Sequence, residues 1–307
     1  MASRLPRAAA RVPYEPTALP DTPVFDCCCA YDGSEFDGWQ TQPHGNTVQD
    51  AVEQRLTKLF GGAVVQICGA GRTDKGVHAR GQHFHFTVPT SHGLTASLLR
   101  GISDADAAAA RMQQCLTGLP ENSGLPSSVQ VLSVTARPPG FHARDSCVGK
   151  RYAYTVEEGV GDPFSARYRW ALGRRAKLDV AAMNAAAALL VGKRDFSTFA
   201  TMTPGDTRDV VKHLRRLEVI RVAEPTAYDA GVVTVVAEAD RFLMHMCRFL
   251  AGTLVQVGLG KLRPADVASF LEATDRAKDA PAPYKAPARG LCLEEVFYDG
   301  EWAESSG

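Results

Sequence analysis

The sequence has no apolar run of the roughly 18 residues that a membrane-spanning helix needs, so we expect no such helix. It also has no surplus of charge, because 34 basic and 34 acidic side chains cancel. Neutrality argues against a histone-like protein or a polybasic tail, although a local basic patch would suffice for nucleic-acid binding. None of the eight cysteines forms a C-x-x-C pair, which argues against a zinc or redox site of that kind and favours a reducing compartment.

The charges that cancel over the whole chain are unevenly distributed along it. Residues 151–221 carry 13 basic and 8 acidic side chains, a net charge of +5, whereas residues 222–307 carry 8 and 13, a net charge of −5. We expect the basic segment to contribute to a surface that binds nucleic-acid phosphates. The alternative is an ordinary solvated surface.

Residues 1–23 differ in composition from the rest of the chain. They contain three arginines, five prolines and no acidic residue before Glu15. Such a start is typical of an organellar transit peptide and equally of an untargeted, disordered tail. We therefore expect a cytoplasmic protein, or an organellar one if this segment is a transit peptide.

Hydrophobic periodicity predicts strands and helices in irregular alternation. Strands are predicted at 24–31, 64–68, 83–88, 129–136, 150–156, 215–222, 232–239 and 291–298, and helices at about 47–59, 94–118, 178–191, 242–257 and 264–273. Strands in neighbouring pairs favour an α+β fold with mainly antiparallel sheets. The helix-breaking run Pro138-Pro139-Gly140 divides the chain into subdomains 24–140 and 141–300, with a tail at 301–307.

A glycine-rich loop at 69–76, between two predicted strands, carries Arg72, Asp74 and Lys75. It is not a P-loop, because Val77 stands where the lysine is required. It is not a dinucleotide-binding fingerprint either, because Asp74 stands where the third glycine is required. A carboxylate held beside cations can act as a nucleophile or a base. The alternative is that Asp74 only caps the turn.

The segment A-G-R-T-D-K-G-V-H-A at 70–79 resembles the signature of the tRNA pseudouridine synthase A (TruA) family. Six further blocks resemble family segments in the family's order. They are Y-D-G with G-W-Q (31–40), N-S-G-L-P (122–126), F-H-A-R with K-R-Y-A-Y (141–154), D-F-S-T-F (195–199), a helix containing H-M-C-R (242–258) and G-L-C-L (290–293). Region 101–121 is longer than the usual family connection, which bears on the choice of tRNA.

The resemblance implies the pseudouridine synthase fold, with two α+β subdomains whose mainly antiparallel sheets are flanked by helices and meet at a central catalytic cleft. It implies isomerisation of uridine to pseudouridine in the anticodon stem-loop of tRNA, at tRNA positions 38–40, with no cofactor and no metal. It also implies a homodimer that binds tRNA and does not associate with membranes. The basic segment 151–221 is then expected to face the tRNA.

The same resemblance assigns the catalytic role to Asp74. This residue would act by covalent attack or by abstracting a proton from the ribose, and the sequence leaves both open. The target uridine must be extruded from its stack, and Arg72 is expected to fill the vacated space and hold phosphate. The alternative for Arg72 is an ordinary surface arginine.

Three further residues are expected to bind the base or the catalytic group. Tyr152 is expected to stack on the uracil, with Tyr154 on the same strand face as the alternative. Arg248 is a lone charge in an apolar helix and needs a partner, for which Asp74 is the natural candidate. Leu293, or its neighbour Leu291, is expected to pack under the uracil.

Alternative functions remain open at this point. Lys75 stands where bacterial family members often have alanine. A lysine at this position resembles some eukaryotic relatives, which favours a broader uridine specificity. A non-catalytic RNA-binding protein that keeps the fold is a second alternative. A metal hydrolase using His78, His83 and His85 is a third, but no suitably spaced cysteine accompanies them. We therefore expect no metal site, and histidines that face solvent or RNA.

Overall fold

The computed structural model describes residues 24–88, 102, 104–117, 124–174, 176–203, 205–223, 231–272 and 283–298. Both predicted tails lie outside these residues, as does part of the helix predicted at 94–118. The described chain forms two compact units, which we call the first unit (24–147 and Tyr298) and the second unit (148–297). Among the described residues, no helix has both the length and the apolar composition that crossing a membrane requires.

The first unit is built on antiparallel strands in the order β4 (Val129–Arg137), β1 (Val24–Tyr31) and β3 (His78–Thr87). Strand β2 (Cys68–Gly69) pairs antiparallel with β3. Strand β1 lies between two neighbouring strands, and its residues are buried except Cys28 and Ala30, which are half-buried; this position explains its apolar sequence. The thiols of Cys27 and Cys29 are fully buried there and act as small core side chains.

Two helices accompany this sheet in the part of the unit that the structure describes. Helix α1 (Val48–Leu59) begins with a capping box, in which Thr47 and Asp50 each accept a hydrogen bond from the other's backbone amide. Its predicted apolar face is confirmed, since Val48, Val52 and Leu56 are buried. Helix α2 (Ala105–Leu116) begins at the cap Asp104 and packs against β4.

The strand predicted at 64–68 is wrong for most of its length. Only Cys68 pairs with β3, while Val64 is 78% exposed. Val65 and Ile67 are buried, as an alternating pattern requires. The alternating sequence pattern therefore predicted correctly which side chains are buried. It predicted a strand wrongly, because buried side chains do not by themselves provide a neighbouring strand for backbone pairing.

The second unit contains the strands β5 (Gly149–Glu158), β7 (Gly192–Asp195), β8 (Val211–Ala223), β9 (Gly231–Ala239) and β10 (Leu291–Phe297). They pair antiparallel in the order β10, β5, β9, β8 and β7. A short strand β6 (Trp170–Ala171) pairs in parallel with β5. Sequence periodicity missed β6 and β7, because strands this short carry no measurable alternation.

The described residues of the second unit also form the helices α3 (Val180–Leu190), α4 (Met246–Gly258) and α5 (Pro264–Glu272). Helix α3 packs against β8, α4 and α5. Helix α4 begins four residues later than predicted, because His245 adopts a left-handed backbone conformation with φ of 64°. The predicted α+β class with mainly antiparallel strands is confirmed in both units.

Candidate active site

The loop 69–76 lies between β2 and β3 of the first unit, and hydrogen bonds hold its backbone from several sides. The amide of Trp39 donates to the carbonyl of Thr73 at 3.1 Å, and Nε2 of Gln82 donates to the carbonyl of Gly71 at 2.9 Å. The hydroxyls of Tyr31 and Thr73 are 2.8 Å apart. The sequence did not single out Gln82, and it marked Tyr31 only as part of the Y-D-G block, because nothing in their spacing relates either residue to the loop.

Glycines allow the loop to approach the segment around Trp39 closely. A Cβ atom at Gly38 would lie 2.7 Å from the Thr73 carbonyl oxygen, and Gly38 has φ of +94°. A Cβ atom at Gly69 would lie 2.4 Å from the Trp39 indole nitrogen. The G-W-Q block and the loop motif are therefore two halves of one packing arrangement.

The side chains of the loop differ in exposure. Arg72 and Lys75 are exposed, whereas Asp74 is half-buried. Nζ of Lys75 lies 2.7 Å from Oδ1 of Asp37, and the hydrogen bond from Lys75 lowers the pKa of that carboxyl. The tight turn closes with the Val77 amide donating to the Asp74 carbonyl at 3.1 Å.

The expectation that the histidines face solvent or RNA is wrong for His78 and His85, whereas the His83 side chain is 20% exposed. His78 and His85 are buried, and His78 accepts the Gly33 amide at Nδ1. His83 lies 3.0 Å from the buried carboxylate of Asp26; although burial opposes it, the hydrogen bond that His83 donates to Asp26 raises the pKa of His83 to about 9. Burial lowers the pKa of His85 to about 4, so its imidazole is neutral. The polar face of β3 is therefore covered as well as the apolar one.

Tyr152 and Leu293 are cross-strand partners in the second unit, where β5 and β10 pair. Both side chains are buried, and the Tyr152 ring meets the ring of Phe242 edge-on at 5.1 Å. The structure thus brings two of the predicted base-binding residues together. Leu291 lies two residues along β10, opposite Tyr154.

Tyr154 is accounted for by the core of the second unit. Its hydroxyl donates to the Pro287 carbonyl at 2.8 Å, and burial raises its pKa well above the usual range. A Cβ atom at Gly290 would lie 2.7 Å from the Tyr154 ring, so that glycine makes room for it. These contacts favour Tyr152 over Tyr154 for a role toward the substrate.

Arg248 lies in the first turn of α4 and is half-buried. Its Nε donates to the Ala286 carbonyl at 2.8 Å, while the Ala286 amide donates to the Arg248 carbonyl at 3.0 Å. This reciprocal pair fixes the start of the helix and the direction of the guanidinium stem. The pairing of Arg248 with Asp74 stays a prediction, since the two residues belong to different units.

The sequence matches known proteins over most of its length. A family model described as tRNA pseudouridine synthase matches residues 27–110 and 186–299. The tRNA pseudouridine synthase A of Moorella thermoacetica is 38% identical over 281 residues, covering 90% of this chain and 100% of the relative. That of Solidesulfovibrio magneticus is 40% identical, covering 88% and 89%, and that of Brevibacillus brevis is 36% identical, covering 89% and 98%. The chain therefore belongs to the tRNA pseudouridine synthase family, whose members are isomerases.

Proposed function

We propose that this protein converts uridine to pseudouridine in the anticodon stem-loop of tRNA, with Asp74 as the catalytic carboxylate. The observation that carries the proposal is the anchored loop, which holds Asp74 half-buried between two exposed cations, Arg72 and Lys75. A rigid backbone keeps a reactive carboxylate within a narrow range of positions, as catalysis requires. Relatives that cover about nine-tenths of the chain are tRNA pseudouridine synthases, which supports the coarser part of the proposal, pseudouridine formation in tRNA.

The reaction conserves atoms and electrons. The bond between N1 of uracil and C1′ of ribose breaks, the base rotates, and a bond forms between C5 and C1′. The proton that leaves C5 is balanced by one gained at N1, so no oxidant or reductant takes part. The Asp74 carboxylate acts at the ribose, either as the nucleophile at C1′ or as the base that removes a ribose proton.

The detached uracil must be held while it turns. A flat aromatic surface suits this step, because stacking contributes about 1–3 kcal/mol per base and tolerates rotation in the plane. Tyr152 is proposed to supply that surface, and Leu293, its cross-strand partner, to support the base from β10. Both are packed against their neighbours and need little reordering on binding.

Two arginines are proposed to act beside the carboxylate. Arg248 is proposed to pair with the Asp74 carboxylate, as the family resemblance implies, and the Ala286 contact fixes the stem of its guanidinium. Arg72 is exposed and lies two residues before Asp74, where it can enter the stack left by the extruded uridine and bind phosphate.

Asp74→Asn tests the catalytic assignment, because it removes the charge while keeping the size of the side chain. We expect pseudouridine formation on purified tRNA to fall by at least about three orders of magnitude, with tRNA affinity within a factor of about two. Asp106→Asn, at an exposed acid in the first turn of α2, is the matched control and should retain activity. Residual activity of Asp74→Asn near the wild-type level would remove Asp74 from the catalytic role.

We further propose that the enzyme works as a homodimer, as the family resemblance implies. Light scattering on the purified protein should give twice the chain mass of 33.0 kDa. A monomer at working concentration would contradict this. A cytoplasmic location is the accompanying proposal, with an organelle as the alternative if residues 1–23 direct import.

A further inference from the structure

A group of metal-ligand side chains lies in the first unit next to the loop 69–76. Cys68 of β2, His85 of β3 and His142, which follows β4, place one ligand atom each within 4.8 Å of one another. The three residues are far apart in sequence, so spacing could not reveal them. The sulfur and two imidazoles form a donor set typical of Zn²⁺.

The distance between the sulfur and the nearer imidazole suits one shared ion. Sγ of Cys68 lies 3.4 Å from Nε2 of His142. Bond lengths of about 2.3 Å for Zn–S and about 2.0–2.1 Å for Zn–N, at a tetrahedral angle, give an S···N separation of about 3.6 Å. A Zn²⁺ ion can therefore bind both atoms with a shift of only a few tenths of an ångström.

Asp145 orients the ring of His142 for this role. Its Oδ2 lies 3.0 Å from Nδ1 of His142, which favours a proton on Nδ1 and leaves the lone pair of Nε2 directed at Cys68. The Asp145 amide also approaches Nδ1, at 3.2 Å, but a charged acceptor at a shorter distance is the stronger partner. A carboxylate behind a histidine is the usual support of a metal-binding imidazole.

His85 is the weaker third ligand. Its Nδ1 accepts the Ala143 amide at 3.0 Å. If the ion binds Nδ1 it takes that lone pair, and if it binds Nε2 the ring proton must move to Nδ1. The hydrogen bond from Ala143 is lost in both cases, so His85 should contribute less to affinity than Cys68 or His142.

We propose that Cys68, His142 and His85 form a Zn²⁺ site with a fourth position open to solvent. Binding forms a Zn–S bond and releases the thiol proton of Cys68 to solvent. The ion would join β2, β3 and the segment 141–147, and so brace the start of the loop 69–76. The proposal is independent of the catalytic role of Asp74, since it concerns a binding site and not the isomerisation.

Metal titration of the chelator-treated, full-length protein tests the site. Co²⁺ serves as the spectroscopic probe, followed by displacement with Zn²⁺. We expect one ion per chain, intense visible bands of tetrahedral Co²⁺ and a thiolate-to-Co²⁺ charge-transfer band. Cys68→Ser should abolish the charge-transfer band, and His142→Gln should weaken Zn²⁺ binding by more than the roughly 10–100-fold expected for Asp145→Asn.

Two control variants change the same residue types elsewhere. Cys115→Ser alters a half-exposed cysteine at the end of α2, and His213→Gln alters an exposed histidine of β8. Neither should change the spectrum or the affinity. The proposal is overturned if the wild type binds less than one ion per chain at micromolar Zn²⁺, or if Cys68→Ser binds as tightly as the wild type. A thermal melt of each variant in chelator identifies any that does not fold.

Discussion

The loop that carries Asp74 and the sheet of the second unit use charge in opposite ways. In the loop, uncharged hydrogen bonds from Trp39 and Gln82 fix the backbone, whereas Arg72 and Lys75 are exposed and Lys75 pairs with Asp37 only at the surface. In the second unit the cations themselves bind the fold together. The difference shows that the candidate catalytic segment is distinguished by the hydrogen bonds that hold its backbone, and not by a high density of charged side chains.

Ion pairs occupy much of the basic segment 151–221. Arg151 lies 2.7 Å from Glu238, and Arg216 also reaches Glu238, at 3.2 Å. Arg221 lies 2.6 Å from the buried carboxylate of Glu158. These three arginines bind carboxylates within the second unit, so we do not expect them to bind tRNA phosphates. The net charge of +5 overstates the positive surface that this segment can offer.

Glu158→Gln should have the largest effect on stability in the second unit. The variant leaves the Arg221 guanidinium without its charged partner, and breaking a buried pair costs about 3–5 kcal/mol of unfolding free energy. Urea titration measures the loss. Glu218→Gln is the control, since its pair with Arg216 is exposed and should contribute about 0–1 kcal/mol. Equal losses in the two variants would break the distinction between buried and surface pairs.

The same variant should change the dependence of stability on pH. Although burial raises it, hydrogen bonds from Arg221 and the Leu178 amide lower the pKa of Glu158 below its usual value of 4.5. The contribution of Glu158 is therefore present above about pH 4.5 and disappears as the pH falls through the lowered value in the folded state. The stability curves of wild type and Glu158→Gln should converge at acid pH. Parallel curves would contradict this.

Gly38→Ala tests whether the close packing of the loop 69–76 against Gly38 is needed for activity. The new Cβ would meet the Thr73 carbonyl at 2.7 Å in a backbone conformation that alanine adopts only with strain, about 1–3 kcal/mol. We expect the loop to shift and the rate of pseudouridine formation to fall at least about tenfold. Gly45→Ala is the control, because Gly45 also has positive φ but no atom within 4 Å of the added Cβ. A normal rate in Gly38→Ala would show that the anchoring of the loop is dispensable.

Arg216→Gln should have the smallest effect on RNA binding. If Arg216 pairs with Glu218 and Glu238 instead of phosphate, tRNA affinity and the slope of log K against log salt stay unchanged. Arg72→Gln, by comparison, should remove one phosphate contact and so reduce the slope of log K against log salt by about one. A reduced slope for Arg216→Gln would return this arginine to the tRNA surface.

Much of the fold could be predicted from the sequence, because strands such as β1 and helices such as α1 are long enough to show their periodicity. The strands β6 and β7 are too short for that, and the strand predicted at 64–68 had buried side chains but little pairing. Among the site residues, the ordered motifs singled out Tyr152 and Leu293, and the structure shows that the two are cross-strand partners. The burial of His78 and His85 could not be predicted, because the alternation of polar and apolar residues along β3 does not show that other residues cover both of its faces.

The contacts that support the loop were beyond sequence analysis for a related reason. Gln82 and Tyr31 act through a backbone carbonyl and a hydroxyl, and neither interaction requires a recognisable spacing. The cluster of Cys68, His85 and His142 was likewise hidden, since only the fold brings these three residues together. Long-range polar contacts depend on register, which a single sequence does not specify.

Mapping of pseudouridine in cellular RNA tests whether this protein modifies the anticodon stem-loop of tRNA and needs Asp74 to do so. Cells without the protein are compared with cells that regain either the wild type or Asp74→Ala. We predict that pseudouridines of the tRNA anticodon stem-loop disappear in its absence and return only with the wild type. Loss at many other uridines would instead support the broader specificity that Lys75 suggests. Unchanged pseudouridines, or full recovery with Asp74→Ala, would contradict the account.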